Sequence, residues 1–298
     1  MRYNAFMNNI ASGPTRSRTA VILDKVEALR HFVKVARARG HTIALIPTMG
    51  ALHDGHMELI RAGLAKADVA IATIFVNPTQ FGPNDDFSAY PRTWDADLEK
   101  LSAAGAHAVF TPTPQEMYPD GFATNISLQG VSEPLEGEYR PGHFDGVATV
   151  VTKLLLQALP DIALFGEKDW QQLQVIKHVA ADLNIPAAIE GVPTIRDENG
   201  LALSSRNAYL SPAEYQVAIK LNKILFSMAE KLRNGGGLQA ALYGGHVEFA
   251  RAGFDDIDYL EIRDAHTLRQ AGGGPIKDLR ILAAVHVGKA RLIDNVGV

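Results

Sequence analysis

"TIALIPTMGALHDGHMELI", Thr42–Ile60, passes from an unbroken apolar run through Pro47, Gly50 and two histidines into an amphipathic segment. A short continuous apolar run predicts a strand covered on both faces, and the amphipathic segment after it reads as a helix. A loop that only had to turn could use Asp54-Gly55 alone. With Asp54-Gly55 as the turn into the helix, His56 falls in the first helical turn and His53 just before it. Free backbone N–H groups and the positive end of the helix dipole concentrate there and form an anion site. Imidazoles beside it can donate to phosphate oxygens, more strongly as negative charge builds in a transition state. Taken alone, the pair also reads as one histidine capping the turn and the other packing on the surface. Zinc fits less well, because the helical zinc motif needs histidines four apart around a glutamate.

The same alternation extends in both directions. "VEALRHFVKVARARG" has helical spacing and ends at Gly40; "DVAIATIFVN" and "AHAVFTP" read as strands separated by the helix "TWDADLEKLSAAG". Then come the helix "FDGVATVVTKLLLQAL", the strand and turn "DIALFGEKD", the helix "WQQLQVIKHVAADL" and the strand "AAIEGVPTIR". Repeated strand–helix units predict an α/β, Rossmann-like, doubly wound parallel sheet with helices on both faces. The rhythm changes after Thr194. Ser211, Pro212 and Glu214 form a capping box with proline at the first helical position. Two helices and then "IDYLEIRDA", "LRILAAVHVG" and "KARLIDNVGV" predict a second, smaller α+β C-terminal domain. We therefore read residues 1–18 as a flexible extension, 19–194 as the Rossmann-like domain and 195–298 as the smaller C-terminal domain. Arg2, Arg16 and Arg18, with no acid before Asp24, also give the extension a faint transit-peptide character.

Composition narrows the class. The chain has 298 residues, 47% hydrophobic and 21% charged, with net charge −4, so no basic field points to nucleic acid. It has no cysteine, which excludes disulfides, thiol catalysis and Cys-ligated zinc and suits a reducing, cytoplasmic setting. No apolar stretch approaches the roughly 18–20 residues of a membrane span. Open parallel sheets bind ligands beyond the carboxyl ends of their strands. That rule directs attention to "PTMGALHDGH", "NPTQFGPNDD", "GEKDW" and "RDENGLALSSRN", all rich in polar and special-backbone residues.

"PTMGALHDGH" resembles the HxGH signature of the nucleotidylyltransferase superfamily, related to class I aminoacyl-tRNA synthetases. "LSSRN", Leu203–Asn207, resembles that superfamily's mobile KMSKS-type loop, although Leu203 stands where such loops carry Met and one Arg replaces two Lys. Adding "FVNPTQFGPNDDFSAYPRT" (Phe75–Thr93), "GHFDGVATVVTKLL" (Gly142–Leu155), "FGEKDWQQL" (Phe165–Leu173) and "GLALSSRNAYLS" (Gly200–Ser211), the chain from Thr19 to Val298 is similar to the pantothenate synthetase (pantoate–β-alanine ligase) family.

The resemblance implies condensation of pantoate with β-alanine, driven by ATP cleavage to AMP and pyrophosphate through a pantoyl adenylate, with Mg²⁺, in a homodimer. It implies that Lys168 holds the phosphates, that His53 and His56 bind phosphate oxygens, and that Ser204, Ser205 and Arg206 close over the triphosphate. Met49, Gly50, Ala51, Leu52, Asp54, Gly55, Gly166, Glu167, Asp169, Ile195 and Leu203 complete the expected ATP site. Gln80 and Gln172 fall on pantoate, with Met49 and Phe75 as apolar wall, and Tyr90, Glu136 and Arg140 on the rim. An amide can donate to a carboxylate and accept from a hydroxyl, which suits that ligand. On their own, "GEKD" is equally a solvated turn with Asp169 as N-cap, and a lone Gln is commonly a surface side chain. The metal ligands are unknown. The segment "FGPNDDFSAYP" and the C-terminal domain are candidate lids. Competing readings are a transferase moving AMP or CMP to a phosphorylated acceptor, which Gln80 and Gln172 disfavour, and a silent nucleotide-binding scaffold. A tRNA synthetase would need an anticodon module and a basic surface.

Overall fold

The computed structural model describes residues 19–82, 87–88, 90–272 and 278–298. Ile43–Ile46 forms β2, buried along its whole length, at the centre of a six-stranded parallel sheet. Its partners are β1 (Val21–Leu23), β3 (Val69–Thr73), β4 (Ala108–Phe110), β5 (Ile162–Gly166) and β6 (Ala188–Val192). The order is β1-β4-β3-β2-β5-β6, and every pairing is parallel. From β2 the chain runs outward through β3 and β4, then returns to the other side of β2 for β5 and β6. The reversal lies between β2 and β5, where doubly wound sheets open a crevice.

The two-residue period of a strand divides the core. Ile43, Leu45 and Ile71 face the layer of α1 (Val26–Arg37), α6 (His143–Ala158) and α7 (Trp170–Asp182). Ala44, Ile46, Ala70 and Ala72 face α2 (Asp54–Leu64) and α3 (Trp94–Ala104). Short helices α4 (Pro114–Met117) and α5 (Glu136–Tyr139) lie in the long connection after β4. No helix among the described residues is long and apolar enough to cross a membrane.

The C-terminal strands β7 (Asp256–Asp264), β8 (Leu279–Val287) and β9 (Ala290–Gly297) make an antiparallel sheet. One face packs against α8 (Pro212–Arg233) and α9 (Leu238–Ala252), using Ile281, Ala283 and Val285. The other sends Tyr259, Leu282 and Ala284 into the core of the first sheet. The start of α8 follows the sequence reading: the Glu214 N–H donates to Ser211 Oγ (3.3 Å) and the Ser211 N–H to Glu214 Oε2 (2.7 Å). Polar bonds join the two sheets. Arg291 on β9 makes a bidentate pair with Glu136 on α5 (2.7 and 2.8 Å), and the Tyr259 hydroxyl donates to the same carboxylate (2.7 Å). Arg280 lies 3.3 Å above the Trp170 ring.

The pattern reading missed β1, α4 and α5. Elements of three or four residues are too short to show a period, and β1 forms by pairing with β4 far along the chain. β6 ends at Val192 instead of running to Arg196, whereas α2 starts at Asp54 and puts His56 in its first turn, as the sequence reading has it. The extension 1–18, and residues 83–86 and 89 of the segment read as a lid, lie outside the described residues.

Candidate active site

The carboxyl end of β2 delivers the chain to α2, with His53 at the N-cap and His56 in the third helical position. The backbone N–H of His53 donates to His56 Nδ1 (3.3 Å), so in the neutral ring the proton sits on Nε2 and can be donated. The two rings stand 4.1 Å apart, tilted by 45°. Gly55 permits this stack, because a Cβ there would come within 3.0 Å of the His53 ring. His53 Nδ1 is buried without a hydrogen-bond partner.

Burial, and then the neighbouring Lys168 ammonium, lower the His53 pKa to about 4; burial, His53 and Lys168 lower that of His56 to about 3. Both rings are therefore neutral near pH 7. The unfolded chain takes up their protons near the ordinary 6.5, whereas the fold resists until about 4 and 3. Unfolding thus binds protons across this window, and stability is lost as pH falls from 6.5 toward 4, at most about 2.7 kcal/mol per pH unit for two protons. Urea melts between these values should show a shallower pH slope for a His53→Asn/His56→Gln double variant than for the unaltered chain. Parallel slopes would contradict neutral rings.

Lys168 arrives from β5, across the switch point, in the 3₁₀ turn Glu167–Asp169. Asn295 of β9 donates to the carbonyls of Glu167 (3.0 Å) and Lys168 (2.8 Å), so the second sheet fixes this turn. Lys168 Nζ is 4.0 Å from Asp169, an ion-pair distance that leaves its N–H groups to other acceptors. The third contribution is the loop Ile195–Tyr209. It is closed by Leu203 N–H to Ile195 C=O (2.9 Å) and tied to β9 by a bidentate Arg196–Asp294 pair (2.7 and 2.8 Å). It carries Ser204, Ser205 and Arg206 to the mouth of the crevice. A cavity of about 250 Å³ is lined together by His53, His56, Lys168, Ser204, Ser205 and Arg206.

The same cavity ends in an amide-lined, apolar-walled recess. Gln80 closes the 3₁₀ turn Pro78–Gln80; its Oε1 accepts from Asn77 (3.2 Å) and its amide meets Met49 Sδ. Asn77 also donates to the Gly146 carbonyl of α6 (3.1 Å). That approach requires glycine, since a Cβ at 146 would lie 2.4 Å from the Thr79 oxygen. His143 Nδ1–H donates to the Gln80 carbonyl (2.8 Å), leaving Nε2 to accept from Arg140 (3.1 Å). Met49, Phe75 and Val147 form the apolar wall, and Gln172 faces in from α7. Beside it opens a larger cavity of about 560 Å³, which shares Arg140, His143, Lys168, Asp169, Gln172, Ser204 and Arg206 with the first.

Of the residues singled out in the sequence, Met49, His53, Gly55, His56, Gln80, Tyr90, Arg140, Gly166, Lys168, Asp169, Gln172, Ile195 and Leu203–Arg206 line the smaller cavity. Glu136 lines only the larger one, with both carboxylate oxygens engaged by Arg291 and Tyr259. Gly50, Ala51, Leu52, Asp54 and Glu167 line neither. The N–H groups of Ala51 and Leu52 are turned to Asp97, and Glu167 pairs with Arg280 at 3.7 Å. Asp97, Lys100, Asn77, His143 and Asn295 were not anticipated as site residues.

Comparison with known proteins accords with this geometry. Residues 21–297 match the family described as pantoate-beta-alanine ligase. The pantothenate synthetase of Paramagnetospirillum magneticum is 55% identical over 283 residues, covering 94% of this chain and 99% of its own. The crystal structure of pantothenate synthetase from Thermus thermophilus superposes with a TM-score of 0.88 at 40% identity, over 93% of this chain and 99% of that one. The pantoate-beta-alanine ligase of Francisella tularensis, solved with beta-gamma ATP and beta-alanine, gives 0.75 at 34% identity over 93% and 97%. Shared sequence along nearly its whole length, together with the common architecture, means that the chain belongs to the pantoate–β-alanine ligase family, the pantothenate synthetases.

Proposed function

We propose that this chain condenses pantoate with β-alanine at the expense of ATP, through a pantoyl adenylate. One observation carries the reading: neutral imidazole donors, an ammonium and the Ser204–Arg206 loop line the same cavity as Gln80 and Gln172. The pantoate carboxylate is already an anion, so adenylation needs no general base. Its barrier is electrostatic, because one anion must approach the α-phosphorus of a polyanion. His53 and His56 hold the phosphate oxygens through ring N–H groups at a helix N-terminus. Lys168 neutralises the reacting α-phosphoryl region, and Arg206 the departing pyrophosphate. A carboxylate oxygen bonds to the α-phosphorus as the bond to pyrophosphate breaks. The amine of β-alanine, having lost a proton, then attacks the acyl carbon and expels AMP. Gln80 and Gln172 orient pantoate, with its methyl groups against Met49 and Phe75. The Francisella relative, solved with beta-gamma ATP and beta-alanine, supports the same ligands here.

Mg²⁺ accompanies the nucleotide in this reading. The ion would be held mainly by phosphate oxygens and water; among the described residues no group of three or more His, Cys, Asp or Glu is placed to hold a metal ion. When bound, it neutralises phosphate charge. We take residues 19–194 as the nucleotide and pantoate domain and 195–298 as the smaller one. With β9 bonded to the Lys168 turn and to α5, closure would fall chiefly to the Ile195–Tyr209 loop. Family likeness also suggests a cytoplasmic homodimer, which light scattering and cell fractionation would test.

The test is exchange of labelled pyrophosphate into ATP. Exchange should require pantoate, and AMP should accumulate only when β-alanine is added. Exchange supported equally by a phosphorylated acceptor would overturn the reading, as would ATP binding without AMP formation. Gln80→Ala should raise the KM for pantoate about tenfold or more while leaving that for ATP nearly unchanged, because only the acceptor loses a hydrogen-bonding partner. Equal changes in both would remove Gln80 from pantoate.

A further inference from the structure

Asp97 and Lys100 lie three residues apart on α3, close enough to act on one stretch of backbone. Asp97 is 1% exposed; its Oδ2 accepts from the Ala51 N–H (2.9 Å) and its Oδ1 from the Leu52 N–H (2.8 Å). Lys100 Nζ donates to the Leu52 carbonyl (2.6 Å). Three backbone atoms immediately before His53 are thus gripped by one turn of a neighbouring helix. This segment needs holding: Gly50 has φ +84° and Ala51 φ +51°, and a non-glycine residue in that region costs about 1 kcal/mol or more. The charged groups around the imidazoles are Lys168 and Asp169 from the turn after β5, Asp54 from α2 and Lys100 from α3. Of these, Lys100 and Asp54 line neither cavity.

We propose that Asp97 and Lys100 are positioning residues for adenylation: a clamp on the Ala51–Leu52 backbone that aims His53 and His56 at the triphosphate. Lys100 also adds positive potential behind the rings without touching the ligand. The proposal deepens the functional reading above and rests on it.

The test uses the full chain with Asp97→Asn, Lys100→Met and Lys100→Arg. An asparagine offers one acceptor oxygen and turns an NH₂ toward the other backbone N–H. Pantoate-dependent pyrophosphate exchange, transfer of supplied pantoyl adenylate to β-alanine, melting temperature and the His53 and His56 ring resonances would be measured together. We expect exchange to fall about tenfold to a hundredfold in Asp97→Asn and Lys100→Met, as a displaced catalytic group predicts. Pantoate KM and the transfer step should stay within about twofold, and Lys100→Arg should recover most of the loss. Exchange within twofold of the unaltered chain in both variants would overturn the clamp. So would parallel losses in both half-reactions tracking the melting temperature, which mark a merely structural role. If the unaltered chain gave no pantoate-dependent exchange, the functional reading would fall instead. The resonances then decide the clamp separately: displaced ring signals in Asp97→Asn uphold it, and unmoved ones overturn it.

Discussion

Lys168→Ala is expected to lower pantoate-dependent pyrophosphate exchange by about a hundredfold to a thousandfold while leaving the fold intact. The backbone of this turn is secured by Asn295 through the carbonyls of residues 167 and 168, which the substitution leaves in place. What is lost is an ammonium that lines both cavities and whose ion pair with Asp169 is long, at 4.0 Å. Removing a preorganised positive charge from a site where negative charge builds raises the barrier without a matching loss of ground-state binding, so kcat should suffer more than KM for ATP. Raising β-alanine should not rescue the variant, because the defect precedes amine attack. A melting temperature within a few degrees of the unaltered chain, alongside the lost exchange, would support this assignment. Normal turnover, or an unfolded product, would count against it. The substitution also removes a charge that depresses both histidines, so their resonances should titrate at higher pH than in the unaltered chain.

The second large effect is expected for His56→Gln. A glutamine in the third helical position can reach back to the N-cap N–H, so the hydrogen bond from His53 N–H to the residue-56 side chain can survive. Stability should change by no more than about 1 kcal/mol. The Nε2–H of a ring that lines the cavity is replaced by a more flexible amide. Exchange should fall about a hundredfold, the scale seen when a positioned donor to a developing oxyanion is removed. Retention of more than a third of the activity would show that His56 serves only the cap.

The sheet apart from β1 was legible because its central strands are nearly continuous apolar runs and its longer helices display their period. The HxGH segment, the Lys168 turn and the Ser204–Arg206 loop could be found because each follows a strand and carries residue types with a definite chemistry. Asp97 and Lys100 were hidden for the opposite reason. They sit on an ordinary amphipathic helix, and their partners are backbone atoms 45 to 48 residues away. Glu136 reads from sequence as a rim residue, yet its carboxylate is engaged by Arg291, 155 positions later, a pairing that no local pattern announces. His143 stands within a quoted segment, but its bond to the Gln80 carbonyl depends on the close seating of α6 at Gly146. Ala51 and Leu52 carry a feature that contiguity with His53 does not announce: their N–H groups both donate to Asp97.

All of this chemistry rests on a plain carboxylate displacing pyrophosphate within a cavity lined by His56, Lys168 and Arg206. The decisive measurement supplies pantoate with ¹⁸O in its carboxylate and weighs the products by mass spectrometry. One labelled oxygen should appear in AMP and none in pyrophosphate, because the oxygen that bonds to the α-phosphorus leaves with it when the amine attacks. Label in pyrophosphate or orthophosphate, with AMP unlabelled, would rule the adenylate out.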